Sequence, residues 1–244
     1  MQKNYKHNFY KDRHQSTIYA ANTILSLIIE ALPQVESAVD FGCGVGTWLS
    51  VLKEKGVEDV RGLEGPWVEK DLLQISEDEL SQVNFEKSVK LDKKYDLAIS
   101  LEVAEHLSSA LASDFVESIT NASDYVMFSA AIPFQGGTNH VNEQWPEYWA
   151  GLFADKGYVL LDFIRMQIWD DRDIPFWYRQ NVLMFVRKEQ LETVKMPVKS
   201  GFQFPLSVVH PDTYISKMNK MYSIKGSLKM LPRNIKRWFK NKQT

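Results

Sequence analysis

Glu102, Glu105 and His106 lie within one short run, and a second histidine, His140, follows further along the chain. The run comes directly after Tyr95-Asp96-Leu97-Ala98-Ile99-Ser100-Leu101, which reads as a buried strand. A helix starting near Glu102 would place Glu102, Glu105 and His106 at i, i+3 and i+4, on one face. Two carboxylates and an imidazole converging there either hold a divalent metal or do acid–base work. What they would act on depends on the elements around them.

Residues 1–34 read as a polar arm followed by a helix whose apolar side carries Ile18, Ala21, Ile24, Leu25, Ile28 and Ile29, ended by Pro33. Strands are expected at Val35 to Phe41, Asp59 to Leu63, Gln82 to Phe85, Leu97 to Leu101, Tyr125 to Ser129, Tyr158 to Arg165 and Asn181 to Arg187. Helices are expected at Thr47 to Lys55, Ala110 to Ile119 and Glu147 to Lys156, with Gly56 and Gly157 closing the first and last of these. Strands alternating with helices at this rhythm imply an α/β fold: a seven-stranded, mainly parallel sheet with helices on both faces. Beyond Lys188, Pro197, Pro205 and Pro211 break the pattern. Residues 189–224 read as an extension folded onto the 35–188 domain, and 225–244 as a tail.

The chain has 244 residues, 44% hydrophobic and 25% charged, which suits one globular domain with an appended piece. No apolar run approaches the ~18 residues a membrane span needs, and Ile24 to Ile29 is too short and too late for a signal peptide. One cysteine, Cys43, excludes an internal disulfide and any multi-cysteine metal site. The expected address is cytoplasmic. The net charge of -2 hides an asymmetry. No Asp or Glu follows Asp212, and that stretch carries nine basic residues, leaving 20 basic against 31 acidic residues before it, a net of -11.

Asp40-Phe41-Gly42-Cys43-Gly44-Val45-Gly46 follows the first strand and opens a helix. Glycines there let the backbone approach a ligand, and a helix N-terminus offers N–H donors. The spacing is G-x-G-x-G, whereas a dinucleotide loop needs G-x-G-x-x-G. A carboxylate at Asp40 suits a cationic amino-acid ligand and would repel a pyrophosphate. Glu64 ends the second strand, where carboxylates bind ribose hydroxyls.

With these residues the chain resembles class I S-adenosylmethionine-dependent methyltransferases, with a Rossmann-like fold, over about residues 35–187. The resemblance implies that Asp40, Gly42 and Gly44 meet the methionine part of S-adenosylmethionine, that Glu64 holds its ribose, that Asn84 reads adenine, and that Ser100 belongs to the same cofactor set. Cys43 reads as a small loop residue.

The E-x-x-E-H run with its later histidine is similar to the metal site of small-RNA 2′-O-methyltransferases and of ubiquinone-pathway catechol O-methyltransferases. That similarity implies Glu102, Glu105, His106 and His140 as ligands of Mg²⁺, Mn²⁺, Fe²⁺ or Zn²⁺, a choice that affinity order alone does not make. The alternative is a structural Glu-His pair, as many enzymes of this class carry, with His140 or His106 as general base beside Glu105.

Residues 132–180 are rich in aromatics. Trp149 and Phe153 share a helix face and should pack inward, whereas Trp145, Trp177 and Tyr178 keep polar neighbours, which suits a sugar or nucleotide. Ser129 to Trp149 resembles bacterial methyltransferases of surface-polysaccharide and glycan gene clusters. This implies O-methylation of a sugar hydroxyl, or a phosphate-type oxygen, on a nucleotide-sugar or polysaccharide precursor. RNA ribose and small phenols or catechols are the alternative acceptors, and the acidic body disfavours nucleic acid. In the tail, Leu231, Ile235, Trp238 and Phe239 alternate with Lys229, Arg233, Lys236, Arg237 and Lys240. Such a basic amphipathic helix either lies at the inner face of an anionic membrane or docks on the acidic body.

Overall fold

A computed structural model describes residues 7–195 and 205–224, together with 226, 228, 231 and 232. The sequence elements resolve into helices α1 (His7–Ala31), α2 (Thr47–Glu54), α3 (Ala112–Ala122), α4 (Pro146–Asp155), α5 (Ile164–Ile168), α6 (Phe176–Asn181) and α7 (Pro211–Tyr222). The strands are β1 (Ser37–Phe41), β2 (Asp59–Glu64), β3 (Leu80–Gln82), β4 (Leu97–Leu101), β5 (Tyr125–Ser129), β6 (Tyr158–Leu161) and β7 (Leu183–Arg187). They form one seven-stranded sheet in the order β3-β2-β1-β4-β5-β7-β6. All neighbours run parallel except β7, which is antiparallel to both β5 and β6.

Both faces of the central strands are buried, which is why β4 and β5 are apolar at nearly every position rather than alternating. Ala38, Leu97, Ile99 and Met127 join a cluster with α1, α2 and α5. The intervening Val39, Ala98, Val126 and Phe128 join a second cluster with α3 and α4, where Phe153 stacks on Phe185 at 4.0 Å between ring centroids. The parallel register sets Asp40 beside Gly62 on one side and Ile99 on the other, so β1, β2 and β4 all end along one edge.

Three expectations change. The third strand is Leu80–Gln82 instead of Gln82 to Phe85, because Ser76 and Glu79 form a capping box that turns the chain directly into it. The sixth strand stops at Leu161, and Arg165 lies on α5. There its guanidinium pairs with Asp162 (Nε to Oδ1 2.9 Å, with a second contact from Nη2 to Oδ2) and donates to the carbonyls of Gln180 and Leu206. A wholly buried guanidinium needs that pairing, and a helical turn is what brings residues three apart together. The last strand starts at Leu183, since 176–181 is helical.

The described residues up to Val208 form one compact unit and those from Val209 onward a second. In the second, His210 caps α7 by accepting from Asp212 N. Among the described residues no helix is long and apolar enough to cross a membrane. The expected basic amphipathic helix lies outside the described residues apart from isolated positions.

Candidate active site

The loop after β1 is held at close quarters. Gly42 N and Cys43 N both donate to Leu63 O, at 2.8 and 3.2 Å. Gly42 has φ 88°, and a Cβ there would stand 2.4 Å from Cγ2 of Val103, so only glycine lets the loop pass under the chain leaving β4. Glu64 is buried and grips the loop: its Oε2 accepts from Gly44 N at 2.9 Å and its Oε1 from Gly65 N at 2.7 Å. The Trp67 indole lies over Gly65 and helps to lower the pKa of the same carboxylate. Trp67 is a site residue that the sequence reading missed; its position three residues after the strand-ending acid was the only available signal.

Asp40 is also buried, and burial, reinforced by the neighbouring Glu64, holds its carboxyl well above the ordinary range. Burial raises the Glu64 carboxyl as well, opposed by its N–H donors. Cys43 is buried against Gly62, its thiol pushed well up by burial and by both carboxylates, which leaves little thiolate for chemistry. Ser100 is wholly enclosed within β4, so its hydroxyl meets a ligand only if surrounding side chains move.

The second group of residues does not form as the spacing suggested. Glu102 adopts a left-handed φ of 56°, and the chain then makes a single 3-10 turn, Ala104–His106. Glu102 therefore does not share a helix face with Glu105. Its Oε1 accepts from Asn181 Nδ2 at 3.0 Å and its Oε2 from Gln135 Nε2 at 2.8 Å, and Gln135 and Asn181 are themselves bonded at 2.9 Å. These amides knit the end of β4 to the end of α6 and to the loop after β5. Glu102 thus stands outside the expected ligand set.

Glu105, His106 and His140 do converge. One ligand atom from each lies within 4.8 Å of the other two. Glu105 is wholly buried, its Oε1 stands 3.9 Å from His140 Nε2, and the two imidazoles meet edge to face at 4.9 Å between centroids. His140 is delivered by the loop after β5, which is pinned to the 3-10 turn where Val141 N and Asn142 N both donate to Glu105 O, at 2.9 and 3.0 Å. Donor atoms about 2.1 Å from a shared ion would stand ~3.0–3.4 Å apart, closer than the 4.8 Å within which these atoms lie. One carboxylate and two imidazoles are a donor set that Mn²⁺, Fe²⁺ and Zn²⁺ accept.

Gly137 makes room for this arrangement: a Cβ there would fall 2.0 Å from His140 Nε2. Gly137→Ala is expected to displace the imidazole and lower turnover on the order of 10²-fold, the scale of a 1 Å misplacement. Cofactor affinity should stay unchanged, and steady-state kinetics beside calorimetry check both.

A cleft of about 680 Å³ opens beside His106 of this cluster. Trp67, Asn84 and Phe85 line it from the ends of β2 and β3, and His106, Leu107 and Asn139 from the other side. Asn84, expected to read adenine, is on its wall, and its Oδ1 accepts from Glu86 N at 2.9 Å. The aromatic expectation holds in part. Trp149 and Phe153 are core, but so is Tyr178, which packs on Trp48, and Trp177 lies partly buried against the same cluster. Trp145 alone of the three expected substrate aromatics is exposed.

A parallel sheet of this strand order with its last strand reversed, carrying a glycine loop and an acid at the next strand end, defines a Rossmann-like methyltransferase fold. The chain belongs to the methyltransferase domain family, whose model matches residues 12–165. It is an S-adenosylmethionine-dependent methyltransferase. Among solved structures, DesVI of Streptomyces venezuelae is similar at 15% identity and TM-score 0.54, covering 76% of this chain and 100% of that one. S-adenosylmethionine-bound CalS10 of Micromonospora echinaspora, an amino pentose methyltransferase, matches at 13% identity and TM-score 0.54, over 77% and 100%. The methyltransferase domain of a bacterial protein, CtHen1-C, matches at 20% identity and TM-score 0.50, over 71% and 97%. No curated protein sequence matches the chain.

Proposed function

We propose that the enzyme is an O-methyltransferase acting on a sugar hydroxyl of a nucleotide-sugar or surface-polysaccharide precursor, assisted by a divalent metal at Glu105, His106 and His140. The observation that carries this reading is the convergence of a buried carboxylate with two imidazoles, one of which, His106, lines a cleft whose wall also carries Trp67 and Asn84. A divalent ion held there would orient two vicinal hydroxyls and lower the pKa of the attacking one. The protein's own part is alignment. Asp40 and the glycine loop hold the amino-acid end of the donor, Glu64 holds the ribose, and the Glu105 turn with the His140 loop closes over the acceptor.

A second reading needs no metal. His140 Nδ1 stands 3.0 Å from Glu143 Oε1, an arrangement that suits a general base. His140 Nε2 then takes the acceptor hydroxyl proton as its oxygen attacks the methyl carbon, and the carbon–sulfur bond breaks to leave a neutral thioether.

Radiolabelled methyl transfer to a panel of nucleotide sugars, RNA and catechols tests the acceptor. Label is expected in a base-stable sugar ether. Label confined to RNA or catechol would overturn the sugar reading.

The raised carboxyls give a pH dependence. Because Asp40 and Glu64 are shifted upward, the folded protein retains protons that the unfolded chain has released. That contribution is fully present below the ordinary carboxyl range near pH ~4 and is lost as pH rises through the folded values. A cationic donor beside Asp40 favours the ionised form. Cofactor binding in mildly acidic buffer is therefore expected to release protons and to tighten with rising pH. Calorimetry in two buffers of different ionisation enthalpy measures this, and identical heats would contradict it.

A further inference from the structure

Glu143 sits on the loop between β5 and α4, and its half-buried carboxylate accepts two backbone N–H donors and faces a ring nitrogen of His140. Its Oε2 takes the N–H of Phe134 at 2.8 Å, and its Oε1 takes the N–H of Gly136 at 2.6 Å and faces Nδ1 of His140 at 3.0 Å. Phe134 is held at a left-handed φ of 71° and is 77% exposed, a conformation that costs free energy in a bulky residue and persists only where surrounding contacts impose it. The bond to Glu143 is one such contact. One side chain thus shapes the loop on both sides of Gly137, the glycine against which the His140 ring lies.

We propose that Glu143 is the positioning residue of this site, fixing His140 as the tautomer that carries its proton on Nδ1. An ionised carboxylate accepts and never donates, so a hydrogen bond to it requires the proton on Nδ1. The Nε2 lone pair then points to the Glu105 side, where Oε1 lies 3.9 Å away. That is the state needed to ligate a metal through Nε2, and equally the state needed to take a proton from an acceptor. The proposal rests on the reading of His140 as the residue that serves the acceptor. It holds for either form of that reading.

Glutamine cannot replace this group. Its single oxygen can serve Phe134 N or the pair Gly136 N and His140 Nδ1, and its amide N–H groups then face a donor on the other side. Aspartate falls one methylene short.

The test uses the full chain labelled with ¹⁵N-histidine, with long-range proton–nitrogen correlation spectra in alkaline buffer, and His140→Gln to assign the His140 signals. In the unsubstituted protein, Nδ1 is expected to be protonated and Nε2 to show an unprotonated shift. In Glu143→Gln this preference should be lost, and turnover or Mn²⁺ affinity should fall about 10- to 100-fold with cofactor affinity unchanged. A carboxylate that only pins the loop would leave the tautomer unmoved.

An Nε2-protonated His140 in the unsubstituted protein would overturn the proposal without recourse to any variant. So would a Glu143→Gln protein with unchanged tautomer and turnover. If the tautomer shifts as expected while His140→Ala retains full turnover, the functional reading fails and the positioning stands. If His140→Ala is inactive and Glu143→Gln behaves as the parent does, the positioning fails alone.

Discussion

Glu64→Gln is expected to weaken S-adenosylmethionine binding by about 100-fold or more. Two hydrogen bonds from ribose hydroxyls to an ionised acceptor contribute roughly 1.5–3 kcal/mol each, and each 1.4 kcal/mol is about tenfold in affinity. The same substitution disturbs the loop, because Glu64 already accepts from Gly44 N and Gly65 N on separate oxygens. An amide can serve only one of these and turns its N–H groups toward the other. Thermal unfolding therefore has to accompany the binding measurement, with a loss of ~1–3 kcal/mol anticipated from the mismatched donor. A folded variant that binds the cofactor as the parent does would remove Glu64 from the site. The Trp67 indole lies over Gly65, the residue next to this carboxylate. Trp67→Phe should accordingly remove most of any fluorescence change on cofactor binding while leaving Glu64 in place.

His140→Ala is expected to lower turnover by about 10³-fold, within the 10²–10⁴ range of a lost general base, and to leave cofactor affinity within about twofold. The division follows from geometry. His140 belongs to the loop after β5 and meets Glu105 and His106, whereas the cofactor determinants end β1, β2 and β3. EDTA separates the two forms of the proposed chemistry. Loss of turnover equal to that of His140→Ala, restored by Mn²⁺, Fe²⁺ or Zn²⁺, marks a metal site. Full activity in EDTA leaves His140 as a base oriented by Glu143. Glu102→Ala is now expected to behave differently from His140→Ala. Its carboxylate is bonded by Asn181 and Gln135, so its loss should appear mainly as reduced stability.

Local composition was enough to recognise the strands whose two faces are both covered. β4 and β5 run as read, residue for residue, because continuous apolar runs bounded by polar turns have few other homes. The glycine loop and Glu64 were legible for a related reason: they follow strands directly, and the parallel register carries them to one edge. Elements held by a specific distant contact were not legible. The run after Tyr158 reads as one strand through Arg165, but the buried guanidinium of Arg165 takes Asp162 and two carbonyls as partners and so needs a helical turn.

The catalytic run shows the same limit. Spacing along an α-helix made Glu102 a partner of Glu105, yet the chain bends left-handed at Glu102 and forms only one 3-10 turn. What unites Glu105, His106 and His140 is the hydrogen bonding of Val141 N and Asn142 N to the Glu105 carbonyl, a link between remote segments that no local pattern encodes. Glu143 was invisible for that reason too. Its role arises only when the loop folds back so that Phe134, Gly136 and His140 meet one carboxylate.

The central claim is that cofactor and catalytic cluster share one cleft, with Glu105, His106 and His140 at its acceptor end. Anomalous diffraction from crystals grown with S-adenosylhomocysteine and Mn²⁺ tests it most directly. The account expects the ribose on Glu64, the thioether sulfur facing the cluster, and an anomalous peak enclosed by Glu105, His106 and His140 without Glu102. A cofactor bound with its sulfur turned away from these residues would contradict it.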